Sequence, residues 1–194
     1  MLHAYEQLAA VDIVHDHTLV GAALAAGRAD LPPVVTTNHG EFNAELSALY
    51  RYVAPHVPVI AISRHQASTA AGIEIAAVIH HGIDPGQYPY GPGDGGHLLF
   101  LGRLAPTKGV DIAARAARRA GVPLLIAAKM REETERDYFE HVVRPLLGSD
   151  VEYVGEVDRE EKLQLLRGAR ALLNPIQWNE PFGMVMIESL ACGT

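Results

Sequence analysis

Cysteine occurs once in these 194 residues, at Cys192, so no disulfide can form within the chain and a cytoplasmic setting fits best. Basic residues are also few. Lys and Arg total 16 against 23 Asp and Glu, for a formal charge of -7. That balance argues against a general nucleic-acid binder, which needs a net basic surface to meet phosphates. It leaves room for a local basic pocket around one small diphosphate. Long apolar runs are missing too: the stretch Val122 to Ala128 is broken by Pro123 and is far too short to span a bilayer. The opening Met1-Leu2-His3-Ala4-Tyr5-Glu6 has no basic stretch followed by an apolar one, so it shows no signal-peptide pattern. The chain contains no Walker loop, no G-x-S-x-G elbow and no H-E-x-x-H pair. What remains is ordinary globular composition, 48% hydrophobic and 20% charged.

Short apolar runs alternate with amphipathic stretches along the whole chain. Strands are predicted over Val11 to Val14, Pro33 to Thr36, Val57 to Ile62 and Ile75 to Ile79. Between them the pattern predicts helices over Leu19 to Arg28, Phe42 to Val53 and from a Ser63 cap to Ala71. A second series follows, with strands over Leu98 to Gly102, Val122 to Ala127, Val151 to Val154 and Ala171 to Leu173. Its helices are predicted over Thr107 to Ala120, Glu133 to Val143, Asp158 to Arg167 and Phe182 to Ala191. Such alternation gives an α/β fold of parallel sheets covered by helices. Two partial Rossmann-like domains are expected, over 1–90 and 97–194, joined by a linker over 91–96. The linker matches G-x-G-x-x-G at Gly91, Gly93 and Gly96. It precedes a strand instead of following one, so the dinucleotide reading is rejected. In two units of this kind a ligand is expected in the cleft beyond the strand carboxyl ends.

Several residues follow strands, where ligand-binding loops belong. Arg103 and Lys108 share one strand-to-helix turn, and two cations beside free helix N–H groups suit a diphosphate. They read equally as two solvated surface cations. Glu180 precedes the last helix and Glu188 lies on it, and carboxylates accept hydrogen bonds from paired sugar hydroxyls. Gly183 lets a ligand approach the backbone there. The neighbouring Met184, Ile187 and Leu190 read as core. His39, before Gly40, reads either as a proton carrier or as a loop histidine capping the next element. His15 and His17 flank Asp16, but no third ligand at zinc-like spacing accompanies them, so no metal site is assigned.

In combination and order these segments resemble the retaining GT-B glycosyltransferases (glycosyl transferases group 1, or family 4 type), which include bacterial mannosyl- and glucosyltransferases and sucrose and glycogen synthases. Phe100-Leu101-Gly102-Arg103-Leu104 through Lys108-Gly109 resembles the family's phosphate-binding turn. Glu180-Pro181-Phe182-Gly183-Met184-Val185-Met186-Ile187-Glu188, continuing to Thr194, is similar to its E-x7-E signature. The resemblance implies hexosyl transfer from a nucleotide-diphosphate sugar to a small-molecule or glycan acceptor, with retention of configuration, no cofactor and no bound metal. It implies donor binding by Arg103, Lys108, Phe182, Gly183, Met184 and Glu188, with His39 and Glu180 as catalytic residues and Lys129 as a further candidate. Lys129 to Glu132 and Asn174 to Trp178 resemble a subgroup of glucosyltransferases acting on pterins or other small acceptors.

The departures are specific. Nothing before Val11 supplies the family's opening strand and Gly-rich loop, and the family continues beyond Thr194, so the resemblance implies a chain truncated at both ends. His80-His81 stands where Pro-Asn is often found. A GT-B epimerase or phosphorylase and a non-catalytic nucleotide- or sugar-binding fragment are the competing expectations.

Overall fold

The computed structural model describes residues 11–194. The opening Met1 to Glu6 lies outside the described residues. The chain divides into two compact units, one of Met1–Gly82 with Asn179–Phe182, the other of Ile83–Trp178 with Gly183–Thr194.

The described part of the first unit alternates β1 (Val14–Asp16), α1 (Leu19–Ala26), β2 (Val34–Asn38), α2 (Ala44–Val53), β3 (Val59–Ala61), α3 (Arg64–Thr69) and β4 (Ile75–Val78). Its four strands are all parallel and lie in chain order. β1 starts later than the apolar run Val11 to Val14 suggests. The ladder begins where Val14 meets Val34, and Val11 and Ile13 stay exposed. Each helix starts on a side-chain cap: Thr18, Asn43 and Ser63 accept from the backbone N–H of Gly21, Leu46 and Gln66. The core gathers Ala22, Tyr50, Val53, Val57, Val59 and Ile73.

The second unit contains β5 (Leu98–Arg103), α4 (Val110–Ala120), β6 (Leu124–Lys129), α5 (Glu133–Tyr138), β7 (Val151–Gly155), α6 (Arg159–Gly168), β8 (Ala171–Leu172) and α7 (Met184–Ala191). The sheet order is β7-β6-β5-β8, again all parallel. Side chains alternate across it. Phe100, Leu124 and Ile126 pack on one face with Val110, Ala113, Ala117 and Val143. Leu99 and Ala127 pack on the other with Leu166, Ala169 and Cys192. Burial on both faces is what a parallel sheet requires. On α4 the buried Val110, Ala113, Ala114 and Ala117 form one stripe, with Arg115, Arg118 and Arg119 outside it.

Three helices differ from the sequence pattern. The one expected over Thr107 to Ala120 is a 3-10 turn, Pro106–Lys108, then α4. Gly109 separates them in a left-handed conformation (φ 70°, ψ 34°) that the helix cannot accommodate. The one expected over Glu133 to Val143 widens after Tyr138 into a π-turn, Phe139–Val143. The last helix starts at Met184, because Gly183 is also left-handed (φ 84°). The segment 91–96 is hydrogen-bonded along the second unit: the N–H groups of Gly91, Gly93 and Gly95 donate to the carbonyls of Cys192, Arg167 and Gly168. No helix among the described residues is long and apolar enough to cross a membrane.

Candidate functional site

In the second unit the strand order places a topological switch point between β5 and β8: the chain proceeds from β5 outward through β6 and β7, then returns to β5's other side. In open α/β sheets the carboxyl ends of the strands flanking such a point are the usual ligand position. Arg103 closes β5 and Lys108 lies in the turn after it, and the long β8 loop runs from Leu173 to Gly183. Gln177 N–H donates to the Thr107 carbonyl at 2.7 Å, and Lys108 Nζ sits 4.7 Å above the centre of the Trp178 ring. Gly109 is required at this junction, since a Cβ there would lie 2.1 Å from the Pro175 carbonyl oxygen.

Two helices begin at this edge without a side-chain cap, α4 after Gly109 and α7 after Gly183. Their first N–H groups and positive dipole ends suit an anion. Gly183 is buried, and Met184 is 38% exposed at the helix start. One turn further, the Glu188 carboxylate accepts from Lys162 Nζ at 2.8 Å and from Tyr88 Oη at 3.0 Å, both through Oε1. Lost hydration and the adjacent Glu188 carboxylate push the Tyr88 hydroxyl pKa up, so Tyr88 remains a donor to it.

Arg103 and Lys129 are register partners at the carboxyl ends of β5 and β6. With Arg131, Glu132 and Glu135 they line one pocket of about 180 Å³. Arg103 Nε donates to Glu135 Oε1 at 2.6 Å, and Nη2 donates to Glu132 Oε1 at 3.1 Å. Glu135 is 3% exposed. Its other oxygen accepts from the backbone N–H of Arg131 at 2.8 Å and of Glu132 at 3.2 Å. Those backbone bonds, opposed by burial and aided by Arg103, hold its carboxyl at about 2, below the ordinary 4.5.

In the first unit His39 leaves the end of β2 in a loop fixed from both sides. Asn38 closes on Gly40 through Nδ2–H to the Gly40 carbonyl and Gly40 N–H to Oδ1, each 3.0 Å. Gln66, 1% exposed, donates from Nε2 to the carbonyls of Asn38 at 3.0 Å and Gly40 at 2.6 Å. Its Oε1 accepts from Ile62 N–H at 2.7 Å. Ser63 Oγ accepts from Gln66 N–H as the expected cap, while the Gln66 amide is spent on the His39 loop.

Histidine rings gather around His39. His17 Nδ1 lies 2.8 Å from His39 Nε2, and His81 Nε2 lies 3.4 Å from His39 Nδ1. The His15 ring lies tilted beside His17 with ring centres 4.1 Å apart, and Phe182 packs edge-on to His81 at 5.1 Å. Desolvation by these rings, then repulsion from His17, His81 and His15, lowers the His39 pKa and favours its neutral form. A neutral His39 donates through one nitrogen and accepts through the other, so the row has one N–H direction. Glu180 belongs to the same unit, in Asn179–Phe182. Among the described residues no group of three or more His, Cys, Asp or Glu side chains is arranged to hold a metal ion.

The sequence reading thus named Arg103, Lys108, Lys129, Gly183, Met184 and Glu188, which one unit carries on the loops and helices leaving one sheet edge. It missed Glu135, Lys162 and Tyr88, and read Gln66 only as part of a helix cap. Glu135 had a signal in its first-turn position three residues after Glu132, while Tyr88 lay hidden at the start of the Pro/Gly-rich stretch.

Two parallel α/β units, the second with a switch point in its strand order and an anion-suited edge, define the Rossmann-like class. The pattern of the glycosyl transferases group 1 family matches residues 92–194, and the chain belongs to that family. It is 30% identical over 204 residues to a D-inositol 3-phosphate glycosyltransferase of Mycolicibacterium smegmatis, covering 95% of this chain and 46% of that protein. It is 35% identical over 136 residues to a glycogen synthase of Mycobacterium tuberculosis, covering 63% of this chain and 31% of that protein. Among solved structures, a glycosyltransferase involved in avilamycin A biosynthesis matches with a TM-score of 0.73 at 30% identity, over 100% of this chain and 57% of that one. A sucrose-phosphate synthase from Thermosynechococcus elongatus shares the fold, with a TM-score of 0.84 at 19% identity over 100% of this chain and 57% of that one. The chain therefore spans about half the length of these full-coverage relatives.

Proposed function

We propose that the protein moves a hexose from a nucleotide-diphosphate sugar to a small-molecule or glycan acceptor, with retention of anomeric configuration. The observation that carries this reading is the β5/β8 switch point, where a cationic turn and two uncapped helix starts lie in the segments that follow the two flanking strands. Family membership supports it. In this reading Arg103 and Lys108 bind the donor diphosphate, and Lys129 adds positive charge beside Arg103. Phe182, Gly183 and Met184 present backbone groups to the donor. Glu188, held by Lys162 and Tyr88, accepts hydrogen bonds from the ribose hydroxyls through its remaining lone pairs. Glu180 serves the donor sugar, and His39, kept neutral, serves the reacting centre.

The leaving diphosphate develops negative charge as the glycosidic bond breaks. Fixed cations and helix N-termini stabilise that charge without reorganising, so the reading requires neither cofactor nor metal. The test is release of nucleoside diphosphate from UDP-, GDP- and ADP-hexoses, with and without acceptor sugars, and the anomeric configuration of the product by NMR. Acceptor-dependent release that Arg103→Ala and Glu188→Ala each abolish is the expected result. Unchanged turnover in both variants would sink the assignment. A second reading, donor binding without transfer, is kept because the chain spans about half of its relatives' length. Nucleotide binding with no release against any acceptor would favour it.

A further inference from the structure

We infer that Glu135 is a positioning residue: it fixes the guanidinium of Arg103, and through Arg103 it sets the affinity for a nucleoside diphosphate without itself touching the ligand. The inference rests on the reading of Arg103 as a diphosphate-binding residue.

A carboxylate as buried as Glu135 persists only if its lone pairs are met. Here they are met from two different turns. Oε2 takes the N–H groups of Arg131 and Glu132, which belong to the turn after β6. Oε1 takes Arg103 Nε, and Arg103 Nη2 also approaches it at 2.6 Å, from the end of β5. One side chain therefore ties the ends of two neighbouring parallel strands at the level where Arg103 and Lys129 are register partners. The Arg103 side chain is 46% exposed, and its other partner, Glu132, is 66% exposed and 3.1 Å away, so without the Glu135 tie it would sample more rotamers in water. Ordering a long side chain on binding costs affinity, and a guanidinium already held loses less. The bonds to Glu135 use Nε and Nη2, so the hold does not consume the whole donor fork.

A carboxylate beside an arginine could act in the opposite sense, by neutralising it and repelling an anion. The two cases differ in sign. If Glu135 positions Arg103, neutralising Glu135 weakens anion binding; if it competes with the anion, neutralising it tightens binding. Lys129 lines the same pocket, while Arg131 is paired with Glu156 at 2.7 Å. The carboxylate of Glu135 is buried under Arg103 and already met by two backbone N–H groups, which favours positioning.

The experiment is calorimetric titration of the 194-residue chain with UDP, GDP, ADP and inorganic pyrophosphate, in the unaltered protein, Glu135→Gln, Arg103→Ala and the double variant. Glu135→Gln is expected to weaken UDP and pyrophosphate about tenfold, and to add less than about twofold in the Arg103→Ala background, since the two act as one unit. In NMR the Arg103 Nε–H signal should lose its exchange protection in Glu135→Gln. If that variant fails to fold, Arg103→Lys provides the same test: it keeps the charge but cannot be held bidentately, and should also weaken UDP about tenfold. Unchanged or tighter binding in Glu135→Gln, unchanged binding in Arg103→Lys, or a full tenfold loss persisting without Arg103, overturns the inference. Binding that responds to Arg103→Ala and not to Glu135→Gln overturns it while the donor-site reading stands. No binding of any nucleotide or pyrophosphate to the folded, unaltered chain overturns both.

Discussion

Replacing Glu135 by Gln should remove a share of the second unit's stability that acid removes from the unaltered protein. The Glu135 carboxyl sits at about 2 in the fold against an ordinary 4.5. The folded state therefore binds fewer protons than the unfolded chain between those values, and stability falls as pH falls through that window. The contribution is complete above about pH 4.5, declines toward pH 2 and is absent below it. Since one pKa unit corresponds to about 1.4 kcal/mol, the full effect is on the order of 3 kcal/mol. The side chain is 4% exposed, so solvent screening takes little from that figure. Gln keeps the shape of a protonated carboxyl group, so the two proteins should differ by about 3 kcal/mol at pH 7 and converge near pH 2. Other acids with lowered pKa values, such as Asp111 and Asp150, are common to both proteins and cancel in the difference. Trp178 is the chain's one tryptophan and belongs to the second unit, so its fluorescence in urea titrations at successive pH values reports the relevant unfolding. A difference that stays constant from pH 7 to pH 2 would show that the charge of Glu135 is not what stabilises the turn.

Three further expectations follow from local geometry. Gly109→Ala should destabilise the second unit by more than about 2 kcal/mol, because a left-handed alanine costs about 1 kcal/mol and its Cβ meets the Pro175 carbonyl. Gly121→Ala, left-handed but with nothing within 4 Å, should cost only the first term, and equal urea midpoints for the two would refute the clash argument. Gln66→Leu should destabilise the first unit by about 1–3 kcal/mol by stranding the Ile62 N–H, with faster amide exchange at Ile62 and Gly40; wild-type exchange rates there would contradict it. His39 should titrate below 6.5 in an NMR titration, because desolvation and its neighbours disfavour the imidazolium form, so this site loses stability as pH falls below the ordinary histidine value. A His17→Ala change should move His39 back up, and an ordinary titration in the unaltered protein would contradict the cluster's influence.

Much of the fold was legible because its pattern is local. The alternation of Leu99 with Phe100 between two cores is a period-two signal, and the stripe Val110, Ala113, Ala117, spaced by three and four, is a helical one, both written in nearby residues. Helix caps at Ser63 and Asp158 are equally local. Boundaries were less legible where a neighbour sets them: β1 starts where β2 offers a partner, and the last helix waits for the left-handed Gly183. The π-turn at Phe139–Val143 has no signal in the sequence pattern. On the candidate site, the cations and glutamates were named from their turns. Their partners come from far along the chain, Tyr88 to Glu188 across 100 residues and Arg103 to Glu135 across 32, and no spacing rule connects them. The histidines His17, His39 and His81 likewise meet only because β1, β2 and β4 end on the same edge.

The central claim is that the second unit is a built nucleotide-diphosphate site, and calorimetric titration of the purified chain with UDP, alongside GDP and ADP, tests it most directly. The account expects saturable, one-site binding of at least one of these, weakened about tenfold or more by Glu188→Ala and by Arg103→Ala. A folded chain that binds none of the three nucleotides, or binds them equally well in both variants, contradicts it.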